Sequence, residues 1–167
     1  MAHQIRPLDA SDRNWIAQFI AEQWGASKIV AHGEIYYPHA LPGFVAIQDS
    51  ERVGLVTYHT EGDACEIVTL DSLRSSLGIG TALVEAVKES AHQAGCKRLW
   101  LITMNDNLNA LRFYQKRGFV LVAIHRNALE ASRKIKPEIP LIGNHGIPLR
   151  DEIELEMTLD STDKRPT

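Results

Sequence analysis

The sequence predicts a mixed α/β sandwich, and three observations carry that prediction. Two hairpin signals follow one another between residues 44 and 70, each with apolar runs flanking a polar turn. An amphipathic run of helical period covers residues 78–94. The segment RLWLIT at 98–103 is almost continuously apolar, as expected of a strand covered on both faces.

The elements follow in order. After a short extended start, Ala10, Ser11 and Asp12 offer helix caps, and Trp15, Ile16, Phe19, Ile20 and Trp24 recur at helical spacing up to Gly25. Residues 26–42 are less regular, broken by Tyr36-Tyr37-Pro38 and Leu41-Pro42-Gly43. Residues 44–48 and 53–59 form a hairpin about the turn 49–52, and a turn at 61–63 leads into a strand at 64–70. The long helix presents Ile79, Leu83, Ala86, Val87 and Ala91 as one stripe, and Gly95 stops it in a left-handed turn. A shorter helix at 107–117 ends at Gly118, a strand covers 119–125, and a further helix covers 128–136. Residues 137–148, with three prolines and two glycines, form a loop, and 153–159 alternates as a last strand. One domain over 1–160 with a polar tail at 161–167 accounts for the chain, which shows no repeat and no linker.

Composition narrows the function. A net charge of −3 argues against a nucleic-acid binder. No apolar run approaches the roughly 20 residues needed to cross a bilayer, and no secretory leader opens the chain. Cys65 and Cys96 make neither a CxxC pair nor a disulfide framework, as expected of a cytoplasmic protein with reduced thiols. The histidines show no paired metal spacing, Glu89 and His92 lacking a matching second pair, so no metal is expected.

The chemistry begins at Gly78 and Gly80, at the seam between a strand and a helix. A helix N-terminus offers unpaired N–H groups and partial positive charge to an anion, and glycine lets a ligand approach the backbone. The alternative is a turn tightened for helix packing. A Walker A loop is ruled out because Thr81-Ala82, not Lys-Ser/Thr, follows Gly80. The dinucleotide fingerprint is ruled out because Leu83 stands where its third glycine belongs, and because the preceding strand is third in a hairpin series. A second cluster, Asn107, Ala110, Leu111 and Tyr114, falls on one helix face. Its amide and phenol are about 10 Å apart along the axis, enough to hold a long ligand at two points. Tyr114 alone would equally suit a core aromatic.

Together the two clusters resemble the GNAT acetyltransferase family, through SLRSSLGIGTALVEAV at 72–87 and NDNLNALRFYQKRGF at 105–119. The resemblance covers the order of elements from Ile5 to about His125. It implies a central, mostly antiparallel sheet of six to seven strands with helices on both faces. The family's Arg/Gln-x-x-Gly-x-Gly/Ala pattern falls on Ser75-Ser76-Leu77-Gly78-Ile79-Gly80, departing at Ser75, with Arg74 one residue early. The Asn-x-x-Ala-x-x-x-Tyr-x-x-x-Gly-Phe pattern is met in full by Asn107, Ala110, Tyr114, Gly118 and Phe119.

The resemblance implies an acetyl-CoA-dependent N-acetyltransferase in which an amine attacks the thioester directly, without an acyl-enzyme. It places acetyl-CoA against Leu70, Asp71, Ser72, Ser75, Ser76, Leu77, Gly78, Ile79, Gly80 and Thr81, with Asn107 near the pantetheine arm. Backbone N–H groups at 70–72 would polarise the carbonyl, and Tyr114 would protonate the departing thiolate. For the amine proton, regular strand alternation puts Glu66 on the face of Leu70 and Cys65 on the other. Glu66 is therefore the candidate base, against the alternative of a surface or ion-paired carboxylate; neither His59 nor Asp71 has better support.

The proline-rich stretch 134–156 resembles a segment of a subgroup of uncharacterised bacterial family members. Its Asp151, Glu152, Glu154 and Glu156 fit a cationic acceptor or, equally, a solvated strand edge. The acceptor is a small-molecule or protein amine, and a homodimer stays open. Two alternatives are a non-catalytic acyl-CoA-binding regulatory module and a transferase of a longer acyl group.

Overall fold

A computed structural model describes residues 3–74 and 78–159. Ser75, Ser76 and Leu77 of the expected phosphate loop, and the polar tail, lie outside the described residues. In chain order the elements are β1 (Gln4–Pro7), α1 (Arg13–Trp24), β2 (Ile29–Ala31), β3 (Glu34–Tyr36), β4 (Gly43–Gln48), β5 (Glu51–Glu61) and β6 (Ala64–Ser72). They continue with α2 (Ile79–Gln93), β7 (Arg98–Met104), α3 (Leu108–Lys116), β8 (Val120–His125), α4 (Ala128–Ile135) and β9 (Glu152–Thr158). Seven strands form a mostly antiparallel sheet in the order β1-β4-β5-β6-β7-β9-β8, and β2 pairs with β3 alone. The described residues pack as two compact units, one drawn from residues 3–8, 42–74, 78–100 and 157–159, the other from Asp9–Leu41 and Leu101–Glu156.

In the first unit, β4 and β5 join through the two-residue turn Asp49-Ser50, both at positive φ (51° and 64°). That geometry matches the twist of the strands it connects. The turn is shorter than the expected 49–52, because Glu51 already pairs with Gln48. Helix α2 lies on β5 at Gly54, where a Cβ would come 2.6 Å from Ile79 Cγ2 and 3.0 Å from Leu83 Cδ1. Ile79, Leu83, Val84, Val87 and Ala91 are buried; Val84 joins the predicted stripe and Ala86 is only half-buried. Gly95, at φ 82°, follows the end of α2, as its position predicts.

The expectation of a strand covered on both faces holds at β7, more fully on one face than on the other. Leu99, Leu101 and Thr103 are buried while Arg98, Trp100, Ile102 and Met104 are half-exposed, and the Arg98 guanidinium lies 4.7 Å from the centre of the Trp100 ring.

In the second unit, α1 is entered through a short 3₁₀ turn closed by Asp9 together with Asp12 of the expected caps. The Asp9 carboxylate accepts the Ser11 N–H at 2.9 Å while Asp12 accepts the Asp9 N–H at 2.9 Å. Residues 26–42, expected to be irregular, hold the β2–β3 hairpin, whose turn His32-Gly33 lies at φ 42° and 81°. The 137–148 loop is tied down by side chains. Arg133 donates to the carbonyls of Ile139, Pro140 and Leu149, and Asp106 accepts the Asn144 N–H at 2.7 Å. Asn105 accepts from the N–H groups of Arg150 and Asp151 and donates to the Pro148 carbonyl. Leu129, Ile139 and Leu149 pack beneath, with Met104 against them.

Candidate active site

The strand β6 sets the geometry of the predicted site in the first unit. Gly54 contacts α2, and the Tyr58 hydroxyl lies 3.3 Å from Ser90 Oγ on α2, so even-numbered residues of β5 face that helix. Cross-strand partners share a face, which puts Leu70 (opposite Val56) and Ser72 (opposite Gly54) toward α2, and Asp71 (opposite Leu55) away from it.

One expectation fails here. Thr57 pairs with Thr69 but Tyr58 pairs with Ile67, so Val68 is an extra residue and β6 carries a bulge. The bulge breaks the period of two. Glu66, opposite His59, therefore lies on the face away from α2, across the sheet from Leu70 rather than beside it. Glu66 is 3% exposed, so it is no surface carboxylate. It shares its face with the buried Thr57 and Thr69, whose hydroxyls are 2.6 Å apart, and with Asp71.

Asp71 is the most perturbed carboxyl of this strand. Burial pushes its pKa from 3.8 up to about 6, and its Oδ2 has no hydrogen-bond partner among the described residues. Cys65 is buried and faces α2, opposite Thr60; burial raises its thiol to about 11 despite a hydrogen bond with Thr60. A thiol that weakly acidic is a poor nucleophile at neutral pH; the bulge also puts Cys65 on the face of Leu70, where regular alternation placed it on the other.

At the end of β6 the chain turns into α2 through Gly78, which takes a left-handed conformation (φ 71°, ψ 14°). A Cβ there would meet nothing within 4 Å, so helix packing is not why glycine is needed; backbone conformation is. Gly78, the N-cap of α2, has no side chain with which to cap it, and the first turn holds no acidic residue. The first turn, which includes Ile79, Gly80 and Thr81, is the positive end of the helix dipole. Arg74, the nearest cation to the departure at Ser75, pairs with Glu51 at 2.9 Å on the exposed surface.

Asn107 and Tyr114 belong to the second unit. Asn107 is the N-cap of α3: its Oδ1 accepts the Ala110 N–H at 3.1 Å, leaving its amide N–H₂ as the donor for any ligand. Tyr114 is 7% exposed, in edge-to-face contact with Phe113 and Phe119 at ring distances of 5.1 and 5.3 Å. The acidic residues of the late segment are engaged internally. Asp151 binds Arg150 and the Asn127 N–H, Glu152 accepts the His32 N–H, and Glu154 lies 2.9 Å from His125. Three of the four carboxylates offered for a cationic acceptor therefore serve the fold. Sequence reasoning missed Gly54, although a glycine inside a strand pattern signals close backbone approach. It missed the Val68 bulge, for which no residue type gives a signal.

The family model of the acetyltransferase (GNAT) family matches residues 10–119. The chain belongs to the GNAT acetyltransferase family. Among its relatives, this GNAT protein is 42% identical over 157 residues to the uncharacterized protein YdhI of Bacillus subtilis (strain 168), covering 93% of this chain and 98% of that one. It is 44% identical over 152 residues to the uncharacterized protein YxbD of the same organism, covering 90% and 96%. A GNAT family acetyltransferase from Elizabethkingia anophelis, solved with acetyl-CoA bound, shares the fold at a TM-score of 0.68 and 24% identity, with 94% of this chain and 98% of that one covered. No helix among the described residues is long and apolar enough to cross a membrane.

Proposed function

We propose that this GNAT protein is an N-acetyltransferase that transfers the acetyl group of acetyl-CoA to an amine by direct attack in a ternary complex. The observation that carries the reading is the left-handed Gly78 at the N-terminus of α2, a residue with no side chain between the helix end and an anion. The acetyl-CoA seen in the Elizabethkingia relative supports the same co-substrate.

Acetyl-CoA supplies an activated acyl thioester. The backbone of Gly78, Ile79, Gly80 and Thr81 holds the phosphates, helped by Ser75, Ser76 and Leu77, and the backbone of Leu70, Asp71 and Ser72 lines the acyl arm. Glu66, buried on the face away from α2, accepts the amine proton through water. An alkylamine with pKa near 10 is protonated at neutral pH and must lose that proton before it can attack. The N–C bond forms, the C–S bond breaks, and the Tyr114 phenol returns a proton to the departing thiolate. Asn107 directs its amide N–H₂ toward the pantetheine arm. The acceptor is a small-molecule or protein amine, not a nucleic acid or a membrane, and the two buried unpaired cysteines suit a cytoplasmic location.

A second reading, a non-catalytic acyl-CoA-binding module, draws on Ser75, where the family has arginine or glutamine, and on Arg74, which pairs with Glu51 on the exposed surface. Calorimetric titration with acetyl-CoA, CoA and a long-chain acyl-CoA, followed by thiol release across an amine panel, separates the readings. Saturable binding that prefers the acetyl form, with amine-dependent CoA release, is the expected result. Binding without turnover favours the module, preference for the long chain makes this a transferase of longer acyl groups, and no binding refutes the acyl-CoA site altogether.

A further inference from the structure

Asp12, Asp106, Asp151 and Glu152, all buried, accept backbone N–H groups, from Asp9, Asn144, Asn127 and His32 respectively. Asp71 departs from that pattern. Its Oδ2 is closed off from solvent and has no hydrogen-bond partner among the described residues, a position that costs an acceptor its full desolvation. The neighbouring strand brings no cation to it: Leu55 stands directly opposite on β5, with Val53 and Thr57 to either side. The Thr57 hydroxyl is engaged with that of Thr69, 2.6 Å away, and Arg74, three residues further on, pairs with Glu51. Yet the residue as a whole is only half-buried, so the carboxyl is not sealed in. Leu70 and Ser72 face α2, whose N-terminus takes the CoA phosphates in the proposed reaction, and Asp71 between them faces the other way. Glu66, the proposed proton acceptor, shares the Asp71 face, with the Thr57–Thr69 hydroxyl pair on the rung between. One face of β6 is left to the acyl donor, and the other presents an acid, two hydroxyls and an acid in a row.

We infer that Asp71 selects the acceptor: its carboxylate holds the ammonium of an alkylamine that enters from the face of β6 away from α2. The inference rests on the acetyl-transfer reading and adds to it the residue that recognises the substrate and the side from which the substrate comes. A charge-assisted hydrogen bond from the ammonium N–H to Oδ2 supplies the partner that the fold omits. Although burial raises the Asp71 pKa to about 6, the group is mostly ionised at neutral pH, and a bound ammonium favours the ionised form further. The unanswered charge costs the empty protein stability, as expected of a group kept for a ligand.

The test is amine-dependent release of CoA from acetyl-CoA by the full chain, as wild type and as Asp71→Asn, which removes the charge at constant shape. The acceptors are primary alkylamines (butylamine, phenethylamine and lysine) and aniline, which is uncharged at neutral pH. The wild type should prefer an alkylamine. In Asp71→Asn the ratio of kcat/KM for the best alkylamine to that for aniline should fall roughly 10–100-fold, mostly through the amine KM. A general loss of activity leaves such a ratio where it was. Should turnover be too slow to measure, calorimetric titration of the amines into the CoA-saturated protein reads the same ratio as affinities. An Asp71→Asn variant that keeps the ratio overturns the inference and leaves acetyl transfer standing, and so does a wild type that prefers aniline. A wild type that fails to bind acetyl-CoA removes the acetyl-transfer reading and this inference together.

Discussion

Gly54→Ala is the sharpest test of how the acyl-CoA cradle is held. The new Cβ would sit 2.6 Å from Ile79 Cγ2, 3.0 Å from Leu83 Cδ1 and 3.2 Å from the Asp71 carbonyl oxygen. Relief to ordinary contact requires the first turn of α2 to move off the sheet by about 1 Å, in an interior packed as densely as an organic crystal. Overpacking of this kind costs roughly 1–3 kcal/mol, and the lower chain entropy of alanine in the unfolded state returns about 0.4–1 kcal/mol. A net loss of about 1–2 kcal/mol corresponds to a melting-temperature drop of roughly 2–8 °C for a domain of this size. Because Ile79 follows Gly78 directly, acetyl-CoA affinity should fall as well. The assay is a double-mutant cycle with Ile79→Ala, which removes the clashing Cγ2, read by thermal melting and by acetyl-CoA titration. The double variant should lose less stability than the two single losses combined, with a coupling of about 1 kcal/mol. Additive losses, or an unchanged melting temperature for Gly54→Ala, would refute the packing argument.

Gly78→Ala and Gly95→Ala both place a Cβ at positive φ in open space, so each should cost about 1–2 kcal/mol of stability, but only Gly78→Ala should weaken acetyl-CoA binding in calorimetry. Tyr114→Phe should lower kcat for acetyl transfer roughly 10²-fold or more with little change in acetyl-CoA affinity, and Glu66→Gln should remove the acidic limb of the pH–rate profile; unmoved kinetics reassign those roles. Asp71 gives a pH-dependent prediction. Its folded pKa of about 6 lies above the unfolded 3.8, so folding favours the protonated acid. The penalty is absent below 3.8, grows as pH rises, and is complete above about 6. Asp71→Asn should therefore stabilise the fold by about 2–3 kcal/mol above neutral pH and by almost nothing in acid, as denaturant melts at several pH values would show.

Where one segment's pattern decides its structure, the sequence was legible. The α2 stripe, the stop at Gly95 and the Asn107 to Phe119 motif each depend on neighbours within a few residues, and each appears where it was read. The β2–β3 hairpin was not legible, because two three-residue strands carry too little periodicity and the His32-Gly33 turn shows itself only in its backbone angles. The engagement of Asp151, Glu152 and Glu154 was equally hidden, since their partners Asn127, His32 and His125 lie far along the chain or depend on strand register.

The sequence by itself determined the mixed α/β class, because helix periodicity and glycine turns are written in consecutive side chains, and its motifs at 72–87 and 105–119 carried the resemblance to the family whose model it matches. Tertiary structure alone decided which way the residues of the candidate site face. One extra residue at Val68 moves Glu66 to the other side of the sheet from Leu70, and another at Val122 brings Leu121 and Ile124 to one face of β8. A bulge exists only in the register between two strands, and no single strand's sequence encodes its partner's register.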